Sequence, residues 1–168
     1  SVSGLDVPHP YGRTIAGPTA GEGVVVAVAS GFQNRGYTVG IKAGGHGDIT
    51  TTHSLWKSTR YSADCPTPVI VGGHLFSFRD DGMASCLNLK TGEALWQERL
   101  FTENVKVSPV VAAGRVYFTS GRGNTVVAAA APKFEVLSRN ELNEDTLATP
   151  AISGGRVYLR TEGGLYCF

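Results

Sequence analysis

The residues best suited to chemistry in this chain are two histidines and an aspartate that lie close together. His46 and Asp48 occupy a glycine-rich stretch, and His53 follows His46 by seven residues. Two imidazoles and a carboxylate are a ligand set that Zn²⁺ and similar divalent metals accept in proteins. The alternative is structural, with glycines at unusual backbone angles and Asp48 capping a turn. The pattern favours the structural interpretation and leaves a metal site at His46, Asp48 and His53 as the second hypothesis.

The other reactive residues do not match a known chemical motif. Gly-x-Ser-x-Gly is absent, and the stretch from Gly121 to Asn124 lacks the Lys-Ser/Thr of a phosphate-binding loop. Cys65, Cys86 and Cys167 are odd in number and do not have metal-ligand spacing. We therefore predict no catalytic residue in this chain.

The composition is that of a folded globular chain with little net charge. Of 168 residues, 42% are hydrophobic and 17% are charged, and the formal net charge is +1. These values exclude intrinsic disorder, and the sequence lacks the basic clusters typical of nucleic-acid binding. The longest apolar stretches, such as Val24 to Ala29, are too short to span a bilayer. We therefore expect neither a nucleic-acid partner nor a membrane span.

A 41-residue repeat organises the chain. Pro68, Pro109 and Pro150 open three similar segments, and a weaker copy begins at Gly17-Pro18, 50 residues before Pro68. In each segment two short runs of β-branched and aromatic residues flank a glycine-containing turn, which is typical of a hairpin. A third strand follows, and a turn such as Thr91-Gly92 leads to a fourth. Four antiparallel strands in this length make one β-propeller blade, so the sequence predicts an all-β fold.

A large apolar residue recurs in the fourth strand of the repeat. Trp56, Trp96 and Leu137 each precede the proline of the next repeat by twelve or thirteen residues. This recurrence favours packing between adjacent blades, with Thr91 and Gly92 forming the turn ahead of Trp96. The alternative, in which the two tryptophans form a ligand-stacking platform, is less favoured because the positions repeat. We predict that these five residues dock the blades onto one another.

The stretch from Cys86 to Trp96 resembles the repeat motif of PQQ-like propeller proteins, in which a Thr-Gly turn precedes a docking tryptophan. The likeness extends from about Gly17 to Phe168. This part of the sequence resembles the C-terminal half of BamB-like (quinoprotein-repeat) propellers of environmental bacteria. It implies a ring of seven or eight blades and a periplasmic or other extracytoplasmic location. The third repeat departs from the motif, because Pro132 to Leu137 has neither the Thr-Gly turn nor the tryptophan.

The repeat divides the chain into an N-terminal extension and about four blades. The extension is expected at residues 1–16, and the blades at about 17–64, 65–105, 106–146 and 147–168, the last without a fourth strand. We expect an incomplete ring that another copy of the chain, or the missing half of the propeller, completes.

The recurring residues favour a non-catalytic scaffold or binding module for protein or peptide partners, because the motif serves to hold blades together. The alternative that the resemblance implies is a fragment of a PQQ-dependent quinoprotein oxidoreductase, with PQQ and calcium as cofactors. Those enzymes use a disulfide between adjacent cysteines beside the quinone, and no two cysteines are adjacent here. No cofactor is therefore predicted. A sensor domain of a larger receptor or kinase is a third, less favoured hypothesis.

Overall fold

The computed structural model describes residues 1–3, 14–30 and 36–168 of the chain. Within these ranges the secondary structure consists of fifteen β-strands and one single-turn helix, α1 (Thr50–His53). The described residues contain no helix of the length and apolarity that crossing a membrane requires. Most of the expected N-terminal extension, residues 4–13, lies outside the described residues.

The strands form four consecutive antiparallel sheets, each built from strands adjacent in the chain. The first sheet contains β1 (Thr19–Gly21), β2 (Val24–Ala29), β3 (Tyr37–Lys42) and β4 (Ser54–Ser58). The second contains β5 (Val69–Val71), β6 (His74–Phe78), β7 (Met83–Asn88) and β8 (Ala94–Arg99). The third contains β9 (Val110–Ala112), β10 (Arg115–Thr119), β11 (Thr125–Ala129) and β12 (Val136–Asn140). The fourth contains β13 (Ala151–Ser153), β14 (Arg156–Arg160) and β15 (Leu165–Cys167). The predicted all-β fold of propeller blades in an incomplete ring is confirmed.

The first hairpin of each repeat turns on two residues with positive φ. In the second sheet these are Gly72 (59°) and Gly73 (76°), and in the third they are Ala113 (49°) and Gly114 (71°). Two successive positive φ values are typical of the type I′ turn, whose twist matches that of the flanking strands. The turn sets the register of the first strand pair, and the strands that follow extend it.

The core lies between the sheets, because alternate side chains of a strand point to opposite faces. In the second sheet, Leu75 pairs with Leu87 and both pack against the first sheet. Phe76 pairs with Cys86, and both pack against the third sheet. All four side chains are fully buried. The second sheet is therefore apolar on both faces and packs against a neighbour on either side, as a propeller blade does.

Hydrogen bonds between the residues that precede the repeat prolines connect successive blades. The Gly17 N–H donates to Thr67 Oγ1 at 2.9 Å, and the Thr67 N–H donates to Ser108 Oγ at 3.0 Å. The Ser108 N–H then donates to Thr149 Oγ1 at 3.2 Å. Because β1 contacts β5 and β5 contacts β9, these bonds lie where the first strands converge. We call this series of bonds the Ser/Thr-Pro ladder.

Candidate functional site

Trp56 lies between the first and second blades against two glycines. Its indole N–H donates to the Leu89 carbonyl at 2.9 Å. A Cβ atom would lie 2.3 Å from the Trp56 ring if added at Gly40, and 2.5 Å if added at Gly92. Gly92 also has a φ of +72°, a conformation that side chains disfavour. The Thr-Gly turn of the second blade therefore receives the tryptophan of the first, with Thr91 exposed beside it.

Trp96 occupies the corresponding place between the second and third blades. Its side chain is 9% exposed, and its indole N–H donates to the Ala131 carbonyl at 3.1 Å. The ring lies 6.0 Å from that of Phe76 and 4.9 Å from that of Phe134, measured between centroids. The third blade, which lacks the Thr-Gly turn, thus covers the tryptophan with an aromatic ring instead.

The outer strand of the third blade has a different residue in the tryptophan position. Trp56 and Trp96 each pair with a strand residue that directly precedes a bulge. In β12 the residue in that register, opposite Val127, is Ser138. Leu137 is one position earlier and is 46% exposed. The face that the third blade turns to the fourth therefore carries a hydroxyl where the first two blades carry an indole.

An apolar cavity of about 390 Å³ lies between the third and fourth blades. It is on the same face of the third sheet as Ser138, because Val127 pairs with both Tyr117 and Ser138. Its apolar lining includes Tyr117, Val127, Leu142, Pro150, Val157, Leu159 and Phe168, and its polar lining includes Thr119, Thr125 and Asn140. The cavity thus has an apolar body with a few polar groups, which is the usual composition of a binding pocket.

Glu144 anchors the last strand beside this cavity. Its carboxylate accepts hydrogen bonds from the Tyr166 hydroxyl and from the Thr161 hydroxyl, the latter at 2.7 Å. The bond from Tyr166 is the main cause that lowers the pKa of Glu144, and Thr161 adds to it. The same bond raises the pKa of Tyr166. Tyr166 in turn stacks on Phe168, with ring centroids 6.0 Å apart, so this carboxylate orders one wall of the cavity.

Two of the three residues of the metal hypothesis, His46 and Asp48, lie on an exposed loop, and His53 is the half-buried last residue of α1. Asp48 accepts hydrogen bonds from the Thr50 hydroxyl at 2.6 Å and from the Thr50 N–H at 3.0 Å, and these bonds lower the pKa of Asp48. His53 Nδ1 lies 2.8 Å from the Thr52 hydroxyl. Across the described ranges, His46, Asp48 and His53 do not form a group with ligand atoms within 4.8 Å of one another. Asp48 closes a turn at the Thr50 backbone, and zinc binding at these residues stays the second hypothesis.

A different group brings potential ligand atoms together. Asp64, Cys65 and Asp80 have ligand atoms within 4.8 Å of one another, the one such group of three that occurs in the described part of the chain. The Lys106 ammonium lies 2.9 Å from Asp80 Oδ1 and 3.6 Å from Asp64 Oδ2. Burial alone lowers the pKa of Lys106, but the hydrogen bond and charge of Asp80 outweigh this effect and raise it. A cation at this group would compete with an ammonium already in place.

Sequence reasoning did not identify this ion-paired group. Asp64, Asp80 and Lys106 match none of the motifs that the sequence analysis identified. One signal was present, since Cys65 and Lys106 are 41 residues apart and therefore occupy equivalent positions in successive repeats. The offset places the two side chains at equivalent points of adjacent blades, although it does not reveal that they meet at Asp80. Burial raises the pKa of Cys65, which disfavours a reactive thiolate there.

The comparisons with known proteins relate these blades to one repeat family. The sequence model of the family described as outer membrane protein assembly factor BamB matches residues 46–133 and 80–168. BamB from Moraxella catarrhalis superimposes with a TM-score of 0.72 at 16% identity, over 90% of this chain and 41% of that chain. The computationally designed Ika4 protein gives 0.73 at 14% identity, over 100% of this chain and 98% of that chain.

An enzyme also shares the fold. Quinohemoprotein alcohol dehydrogenase from Comamonas testosteroni gives a TM-score of 0.60 at 18% identity, over 78% of this chain and 21% of that chain. Among curated proteins, none matches this chain. The chain spans less than half the length of the BamB and dehydrogenase structures. The expected resemblance to PQQ-like repeat propellers is confirmed.

Proposed function

The chain belongs to the family described as outer membrane protein assembly factor BamB, and from that premise we propose that it is a non-catalytic propeller module for a protein or peptide partner outside the cytoplasm. The observation that carries the proposal is the apolar cavity of about 390 Å³ between the third and fourth blades. Its volume lies within the range of about 300–1,000 Å³ that is common for ligand sites.

The cavity suits one large apolar or aromatic side chain of an extended peptide. Tyr117, Val157 and Leu159 provide an apolar wall on both sides, and Asn140 offers an amide at the edge of the third sheet. An extended peptide binds through its backbone hydrogen-bonding groups, while a pocket selects one of its side chains. The partner chemistry is therefore an extended segment with an apolar anchor.

The module acts in this proposal as part of a larger ring. The second sheet is apolar on both faces, and the outer face of the fourth sheet exposes Leu165. Exposed apolar surface of this kind is typical of an interaction site. Either another copy of the chain or the remaining blades of a longer propeller completes the ring.

Peptide binding tests this function. A panel of fluorescent extended peptides, identical except for a central Phe, Leu, Trp or Ala, is titrated with the chain and followed by anisotropy. We expect binding by the aromatic and leucine peptides and at least about tenfold weaker binding by the alanine peptide, because burying a large side chain supplies most of the free energy. Val127→Trp, which fills the cavity, should abolish the binding.

Leu137→Trp is the matched control, because it adds the same ring at a position of the same sheet that is 46% exposed and does not line the cavity. We expect this variant to bind the peptides as the original chain does. Equal binding of the alanine and phenylalanine peptides, or unchanged binding by a folded Val127→Trp variant, would refute the proposal.

The fold is shared with quinohemoprotein alcohol dehydrogenase, so the PQQ alternative has its own test. Cys65, Cys86 and Cys167 are free thiols, and none is adjacent to another in the sequence. They do not fit the adjacent pair that the family resemblance implies for quinone binding, and we derive no catalytic step. Incubation with PQQ and Ca²⁺, followed by gel filtration and absorbance of the protein peak, separates the two functions. Stoichiometric uptake of PQQ would favour the oxidoreductase.

A further inference from the structure

The junction between the second and third blades is filled by aromatic side chains. Phe76 pairs with Cys86, and Cys86 pairs with Trp96, so these three residues form a row on one face of the second sheet. Two residues along β6, Phe78 pairs with Ala84 and adds a second row on the same face. All five side chains belong to the cluster that packs the second blade against the third, and none is more than 9% exposed. Two phenyl groups and an indole therefore close this junction.

The junction between the third and fourth blades lacks two of these aromatic groups. In the third sheet Tyr117 pairs with Val127, and Val127 pairs with Ser138, which reproduces the first row with a serine in the indole position. Thr119 pairs with Thr125, which reproduces the second row with a threonine in place of the phenylalanine. The hydroxyl oxygens of these two threonines lie 2.9 Å apart and bond to each other. The third sheet thus turns smaller and more polar side chains to its neighbour.

The cavity of about 390 Å³ lies where the missing aromatic groups would be, and its walls still have the residues that enclose an indole. Tyr117 and Val127 line it from the third blade, and Leu159 lines it from the fourth. Leu159 is the counterpart of Phe118, 41 residues earlier, whose ring centroid lies 6.5 Å from that of Trp96. Val127 and Leu159 are both buried. Both sides of an indole site are therefore present, without an indole between them.

We propose that the partner segment inserts a tryptophan into this cavity and so takes the position that Trp56 and Trp96 occupy at the two preceding junctions. The inference rests on the proposed function, because it specifies the anchor residue of the segment that the cavity binds. Ser138 is exposed, so a side chain from another molecule can reach the position. Asn140, in the cavity lining, offers an amide oxygen to the indole N–H, a donor that requires a partner when it is buried.

The cavity favours an indole over smaller anchors because it was left by the loss of large aromatic groups. A tryptophan buries more apolar surface than a phenylalanine, which corresponds to about fivefold tighter binding. Anisotropy titrations with the tryptophan, phenylalanine, leucine and alanine peptides of the preceding test measure this ranking. We expect the tryptophan peptide to bind most tightly.

Ser138→Trp supplies the indole from the chain itself and tests the position directly. We expect the melting temperature to rise by about 3 °C or more, because an empty space is filled, and the affinity for the tryptophan peptide to fall at least about tenfold. Leu137→Trp is again the control, because it adds the same side chain one residue away, outside the cavity lining. It should leave the affinity unchanged and should not raise the melting temperature. Circular dichroism verifies the fold of both variants.

Three results would overturn the inference: a phenylalanine or leucine peptide that binds as tightly as the tryptophan peptide, a Ser138→Trp chain with unchanged affinity for the tryptophan peptide, or a Ser138→Trp chain that melts no higher than Leu137→Trp. A Ser138→Trp chain that loses the native fold counts with the third result. Each can occur while peptides bind and Val127→Trp abolishes that binding, and the proposed function then stands. Absence of binding by every peptide refutes the proposed function itself, and the inference with it.

Discussion

Replacing Trp96 by alanine removes the largest side chain that joins the second and third blades. The side chain is 9% exposed and is surrounded by Phe76, Phe118 and Phe134. Truncating a buried tryptophan costs about 3–5 kcal/mol in the free energy of unfolding. Loss of the indole N–H leaves the Ala131 carbonyl without this donor and adds about 1 kcal/mol. We expect a total of about 4–6 kcal/mol, a large share of the roughly 5–15 kcal/mol that stabilises a typical domain.

Urea unfolding followed by circular dichroism measures this cost, and calorimetry should show a melting temperature about 10–15 °C lower. Trp96→Phe keeps most of the apolar volume but loses the hydrogen bond, and we expect about 1–2 kcal/mol. Leu95→Ala is the control at the neighbouring position of β8, where the side chain is 42% exposed, and it should change the stability by less than about 0.5 kcal/mol. If Trp96→Ala costs no more than Leu95→Ala, the interpretation of Trp96 as a blade-docking residue is refuted.

Three further predictions concern single positions. Gly92→Ala should destabilise the fold by about 2–3 kcal/mol in urea titrations, because the added Cβ meets the Trp56 ring. Gly114 has a similar φ but open space around it, so Gly114→Ala should cost only about 1 kcal/mol. Equal costs of the two substitutions would contradict the contact between Gly92 and Trp56. Burial raises the pKa of Cys86 from 9.0 to about 12. As pH rises, the thiol therefore loses its proton in the unfolded chain before it does so in the folded one. The free energy of unfolding should fall between pH 9 and pH 12 by about 1.4 kcal/mol per pH unit. The free energy of unfolding of Cys86→Ala should fall less over this pH range. Parallel pH profiles of the variant and the original chain would disprove the role of this thiol. We expect no stoichiometric zinc uptake in equilibrium dialysis, and uptake abolished by His46→Ala would contradict the structural interpretation.

The sequence alone predicts the repeat, the class of fold and the strands of each blade. This was possible because a blade is built from strands that are neighbours in the chain, so its turns carry local signals. The glycine pair at Gly72-Gly73 marks the first hairpin, and Pro68 marks the start of β5. Thr91-Gly92 was recognised in the same way, as a turn that needs a glycine. Its contact with Trp56 of the preceding blade is a tertiary fact.

Only the tertiary structure determined what lies between blades, because those contacts join residues about one repeat apart that no local pattern connects. A one-residue difference in register puts Ser138 rather than Leu137 opposite Val127, and a repeat aligned by eye does not reveal such a shift. Thr67 and Ser108 directly precede the repeat prolines Pro68 and Pro109. Their hydroxyls proved to be acceptors for the preceding blade, 50 and 41 residues away in the chain. The sequence period predicts the hairpins that neighbouring strands form within a blade. The docking of one blade on the next depends instead on which side chains the strand register places on each face of the sheet.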